Sequence, residues 1–241
     1  MNESNAPTAS VAPATPATQA VPQALEAVIF DMDGLMIDSE SIWTAAWEPT
    51  LAEFGIHEIP EGLPDACRGT AGPTQVAQIE KYLGTAVDAA AISQRLEEIG
   101  EKNVIEQATK KPGLDELLAY LRQMRVPLAV ASSATLERID VQLDRLGLTS
   151  YFAERVSGHD LAHPKPAPDV FLLAAKRLGA APHASMVLED SLAGIAAAHA
   201  GGFMPVMVPD LVAPTSVARA QAYVICHDLL EVKALIAERW G

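Results

Sequence analysis

The sequence predicts an α/β protein: a doubly wound parallel sheet with an all-helical domain inserted after its first strand. Three observations carry the prediction. Short apolar runs rich in Val, Ile, Leu and Met recur along the chain, as strands buried on both faces require. From about residue 113 onward these runs alternate with helix-length patterns, the order that yields parallel strands joined by right-handed crossovers. Between the first two runs lie several helical patterns and no strand. That is more chain than one crossover helix uses, so an inserted helical unit is expected.

Val28 to Phe30 reads as the first strand, a β-branched and aromatic run. Helical patterns follow at 41–54, 74–83 and 88–109, and another helix is entered through Pro112 and Gly113. "PLAVA" (Pro127–Ala131) is the second strand. Then come a helix at 136–146, a strand at 155–157, a helix at 169–178 and a strand at 186–188. A helix at 192–200 and a strand at 204–208 follow, and "YVICHDLLEVKALIAERW" closes with a strand and a helix. The expected organisation is a core of residues 23–40 and 113–241, with residues 41–112 as a cap over the sheet's carboxyl edge. Residues 1–22, rich in Ala, Pro, Thr and Ser and without an aromatic, cannot bury enough surface to offset ordering entropy. A disordered tail is expected there.

Composition narrows the partners. Acidic residues outnumber basic ones 31 to 17, for a formal net charge of -14. Such a field repels nucleic acid and anionic membrane surfaces, and any phosphate ligand needs a local positive site. The two cysteines, Cys67 and Cys226, form no CxxC pattern, which fits a reducing compartment. No basic start followed by an apolar core stands at the N-terminus, since the first Lys or Arg is Arg68. A cytoplasmic monomer is the expectation.

The polar residues that follow the strands are the informative ones. "VIFDMDG" places Asp31 and Asp33 one residue apart at the end of the first strand, where open α/β sheets bind their ligands. Ser132 and Ser133 follow "PLAVA", Glu189 and Asp190 follow "MVL", and Lys165 lies in "HPKPAPD" ahead of the helix at Asp169. In a parallel sheet these groups converge. Four carboxylates suit a hard cation such as Mg²⁺, while a lysine, hydroxyls and loop N–H groups suit phosphate oxygens. Aspartate is also a nucleophile able to form an acyl phosphate. Blander roles are open to each group: Asp31 and Asp33 as turn formers, Ser132 as a helix N-cap, Lys165 as a surface charge. The six histidines follow no ligand spacing and are read as surface or packing residues.

Together, "DMDGLMIDSE", "VASSA", "KPAPD" and "LEDSLAGI" resemble the haloacid dehalogenase superfamily, in its branch with a helical cap inserted after the first motif. The four stand in family order. The resemblance implies that Asp31 is the nucleophile and Asp33 the acid/base for leaving group and water. It implies Mg²⁺ held by Asp31, Glu189, Asp190 and the backbone carbonyl of Asp33. Ser132 and the N–H of Ser133 then bind the phosphoryl group, and Lys165 neutralises it while orienting Asp31. Arg68 and Gly69, in "ACRGTAG", match a cap loop that reaches substrate; an exposed arginine is the alternative. The expected activity is Mg²⁺-dependent hydrolysis of a small sugar or polyol phosphate. A β-phosphoglucomutase-type mutase shares every core motif, but its cap histidine is matched here by Trp43. A catalytically silent metabolite-binding protein on the same fold is the third reading.

Overall fold

The computed structural model describes residues 22–70 and 72–241. The expected tail, apart from Pro22, therefore lies outside the described residues. Strands are β1 (Ala27–Phe30), β2 (Leu128–Ser132), β3 (Glu154–Ser157), β4 (Ser185–Glu189), β5 (Met204–Met207) and β6 (Val224–Ile225). Helices are α1 (Glu40–Glu53), α2 (Leu63–Cys67), α3 (Gly72–Leu83), α4 (Ala89–Gln107), α5 (Leu114–Met124), α6 (Leu136–Arg145), α7 (Asp169–Leu178), α8 (Leu192–Ala200), α9 (Ser216–Gln221) and α10 (Leu229–Trp240).

The six strands form one sheet in the order β3-β2-β1-β4-β5-β6, and every pairing is parallel. Alternation along each strand divides the core in two. Val28, Phe30, Val130 and Leu188 face α5, α6 and α10 through Leu117, Leu121, Ile139, Val232 and Ile236. Ile29, Ala129, Ala131 and Val187 face α7 and α8 through Phe171, Ala174 and Ala197. Small alanines on the second face let those helices approach closely. The chain leaves β1 between β2 and β4, so the sheet's strand order reverses at β1. Ligands bind at such a switch point.

Helices α1 to α4 lie between β1 and β2 in sequence and close an apolar cluster of their own. It is built from Trp47, Leu51, Leu63, Ile79, Ile92 and Leu96. This is the helical cap. Gly100 lets α4 meet α1, because a Cβ there would overlap the Trp43 ring. The two segments joining the cap to the sheet run side by side: the Asp38 N–H donates to Thr109 O (2.9 Å) and the Lys111 N–H to Met36 O (2.9 Å). Helix α6 braces the same place, with Gln142 donating to Val104 O at 3.0 Å and Arg145 donating to Ala108 O.

Two helices, α2 and α9, have no counterpart in the sequence reading. Each is six residues or fewer, too short for apolar periodicity to declare itself. Ser132 and Glu189 are the last residues of β2 and β4 instead of the first beyond them. The N-cap of α6 is Thr135, which accepts the N–H of Arg138 (3.2 Å), so the capping role open to Ser132 is taken by another residue. Ser191, one of the two residues in "LEDSLAGI" open to a capping role, caps α8 through Gly194 N (3.0 Å).

Candidate active site

The ends of β1 and β4 and the loop before α7 meet at one point. Lys165 Nζ donates to Asp31 Oδ1 (2.6 Å) and to Glu189 Oε1 (2.7 Å). The other Glu189 oxygen accepts both the N–H (2.7 Å) and the hydroxyl (2.8 Å) of Ser191. All three charged groups are nearly excluded from water. A Cβ on Gly194 would overlap the Glu189 carboxylate, so that glycine leaves it room. Gly34, at φ 77°, does the same for Asp190: it turns the loop after β1 and clears the carboxylate.

One lysine cannot neutralise this site. Burial, together with the neighbouring charges of Glu189 and Asp33, pushes the Asp31 carboxyl up to about 7 despite the opposing pull of Lys165. Burial, with Glu189 and Asp31, raises Asp190 well above the usual carboxylate range. On Lys165 burial acts downward, but the attraction of Asp31 and Glu189 prevails and holds it protonated. Carboxylate oxygens from Asp31, Glu189 and Asp190 lie within 4.8 Å of one another. An all-oxygen donor set with surplus negative charge fits a hard divalent cation of the Mg²⁺ type.

Asp33 stands apart from this cluster. Its carboxylate accepts a hydrogen bond from the Arg138 guanidinium at 2.5 Å, and it lines a cavity of about 390 Å³ between sheet and cap. Ser133 reaches the same cavity. The Ser132 hydroxyl is buried and accepts the N–H of Ala134 (3.2 Å). Arg68 and Gly69 also line the cavity. Arg68 bonds to Glu40 (3.1 Å) and Asp65 (2.8 Å). Burial raises the Glu40 carboxyl, with Arg68 opposing.

Four features escaped the sequence reading. Arg138 lies in the first turn of a helix whose pattern reads as ordinary surface, and its link to Asp33 spans 105 positions. Glu40 reads as a helix start, yet it anchors Arg68. His159 reads as a surface residue and lines the cavity. Asp169 reads only as a helix start, and it pairs with His163 at 3.1 Å. The serine after the acidic pair in "LEDSLAGI" was the available signal for Ser191, which locks Glu189 in place.

The haloacid dehalogenase-like hydrolase family matches the chain over residues 28–208. The chain is 28% identical to a phosphorylated carbohydrates phosphatase of Thermotoga maritima, covering 88% of this chain and 90% of the relative. It is 33% identical to the fructose-1-phosphate phosphatase YqaB of Escherichia coli, over 73% of this chain and 92% of that protein. The solved structure of a beta-phosphoglucomutase from Clostridium difficile shares the fold. It has a TM-score of 0.70 at 22% identity, covering 89% of this chain and 96% of that one. With its six-stranded parallel sheet, inserted helical cap and carboxylate–lysine cluster, the chain belongs to the haloacid dehalogenase-like hydrolases.

Proposed function

We propose that the chain is a Mg²⁺-dependent phosphatase that transfers the phosphoryl group of a small sugar or polyol phosphate onto Asp31 and then to water. The observation that carries this is the clamp of Lys165 on Asp31 and Glu189 at the sheet's switch point, beside a cavity roofed by the cap. Relatives named as phosphatases of phosphorylated carbohydrates and of fructose 1-phosphate support the substrate class.

The chain's own residues divide the work. Lys165 fixes Asp31 by one oxygen, leaving the other to attack phosphorus in line with the leaving oxygen. Ser132 and the N–H of Ser133, with Lys165, bind the phosphoryl oxygens as charge redistributes. Asp33 protonates the leaving oxygen and then takes a proton from the attacking water. For that it must leave Arg138 or share it. Asp31, Glu189, Asp190 and the carbonyl of Asp33 would hold Mg²⁺, which neutralises charge on the phosphoryl group when bound.

Residues 41–112 act as one cap that opens and closes on the paired segments near 38–41 and 111–113. Closure excludes bulk water and brings Arg68 and Gly69 onto the substrate. Mutase chemistry requires the phosphorylated aspartate to wait for a sugar hydroxyl. Trp43, packed on Gly100, offers no proton to couple closure with that wait, so water is the acceptor. Both cysteines are buried and free, in keeping with a cytoplasmic enzyme, and a cap that swings freely suits a monomer.

Hydrolysis of p-nitrophenyl phosphate with and without Mg²⁺, followed by a panel of sugar and polyol phosphates, tests the proposal. The expected result is metal-dependent phosphate release with at least one panel member. The opposing result comes from β-glucose 1-phosphate with a trace of the 1,6-bisphosphate: rapid glucose 6-phosphate with little free phosphate makes the chain a mutase.

A further inference from the structure

The cavity is lopsided in charge. On its cap side, Trp43 and Trp47 stand one turn apart on α1, and Glu97 and Glu101 stand one turn apart on α4. Residues four apart share a helix face, so α4 presents two exposed carboxylates. On α1, Trp47 is buried in the cap's own core and Trp43, packed on Gly100, is half-buried. The two arginines that line the cavity are already engaged: Arg138 with Asp33, and Arg68 with Glu40 and Asp65. Among the described residues, Glu97 and Glu101 have no ion-pair partner. His159, exposed on the sheet side, is the remaining basic group of the lining.

A substrate enters with its phosphoryl group at Asp31 and its other end against this wall. A second phosphate or a carboxylate there meets two carboxylates without an ion-pair partner among the described residues, while Arg68 reaches the substrate with its charge already shared by Glu40 and Asp65. Hydroxyl groups instead donate to Glu97 and Glu101, and an ammonium is attracted by them. The exposed part of the Trp43 indole suits the C–H surface of a sugar ring and also favours a cation. We infer that the cavity selects monophosphates by charge, binding esters whose remainder is a polyhydroxyl or bears an amine and rejecting bisphosphates and phosphorylated acids. This rests on the phosphatase reading and adds the specificity that Glu97 and Glu101 impose.

Three compounds of similar size isolate the effect: glucosamine 6-phosphate, glucose 6-phosphate and 6-phosphogluconate. Each is measured as a competitive inhibitor of Mg²⁺-dependent p-nitrophenyl phosphate hydrolysis, so none needs to be turned over. The expected order of binding is amine, then neutral, then acid. A unit charge facing a carboxylate across a hydrated cavity changes affinity roughly tenfold between the extremes. The spread should shrink in 0.5 M salt, roughly a condition of 4 Å screening length. It should also fall to about twofold in the double variant Glu97→Gln/Glu101→Gln, since little but the charge term of the wall is then removed. Both side chains are exposed, so folding is expected to survive; the order in the unaltered enzyme is a test in itself. Equal inhibition by the three, no inhibition by any, or tightest binding of 6-phosphogluconate overturns the inference while leaving the phosphatase reading intact. Absence of p-nitrophenyl phosphate hydrolysis defeats that reading instead.

Discussion

The carboxyl edge of the sheet and the cap wall opposite it obey different physical rules. At the edge, Asp31, Lys165 and Glu189 are buried, mutually bonded and backed by Ser191. No side chain there can change without leaving a charge or a donor unsatisfied. On the wall, Glu97 and Glu101 are exposed and have no ion-pair partner among the described residues. The edge is therefore constrained by its own electrostatics, and the wall is free to follow the substrate. On the proposed reading, chemistry belongs to the first and selectivity to the second.

The sharpest way to break this division is Asp31→Asn. Removing the nucleophile should cost at least about a thousandfold in turnover, with circular dichroism unchanged. A folded variant that keeps a tenth of the activity refutes the assignment. Next comes Lys165→Met, which leaves two buried carboxylates facing each other. Loss of one partner from a buried ion pair costs about 3–5 kcal/mol, read as a lower urea midpoint in chelator. Equal stability of variant and parent would show that the carboxylates shed their charge without penalty.

Metal and pH sharpen the same point. The Asp31 carboxyl lies at about 7 in the folded protein, against an ordinary value of 3.8, so the folded metal-free protein binds the extra proton. Its stabilising contribution is present below the unfolded value and is lost as pH rises from about 4 to about 7. Mg²⁺ requires ionised carboxylates and so opposes that loss. The increase in melting temperature on adding Mg²⁺ should therefore grow from pH 5 to pH 8. An increase that is flat with pH would mean the cation binds elsewhere.

Much of this was legible in the chain. Strand-end polar residues announce themselves because a β-branched run stops at an acid, a serine pair or an acidic pair. Asp31, Ser132 and Glu189 were found in that way. Arg138 was not, because its partner is 105 positions away and an arginine in a first helical turn looks like solvated surface. Glu97 and Glu101 were equally silent, since exposed acids on a helix face carry no pattern until the fold brings them to the cavity. Helices α2 and α9 were missed for want of length. Long-range pairing and short elements are the properties a one-dimensional pattern does not encode.

Two smaller effects probe the wall. Gly100→Ala forces a Cβ into the Trp43 ring; overpacking costs about 1–3 kcal/mol, seen as a lower melting temperature and a higher KM with kcat little changed. A drop in kcat alone would tie Trp43 to the chemistry. Arg68→Ala removes a charge-assisted contact worth about 1.5–3 kcal/mol and should raise KM roughly ten- to a hundredfold. An unchanged KM would return Arg68 to its bonds with Glu40 and Asp65 and to no other duty.

The central claim is that the phosphoryl group passes through Asp31. Rapid acid quenching of the enzyme during turnover of a good substrate, followed by peptide mass analysis, tests it directly. Phosphate is expected on the peptide containing Asp31 and on no other, lost on treatment with hydroxylamine. A quenched enzyme without covalent phosphate, despite a burst of released alcohol, would contradict it, as would phosphate on any other side chain.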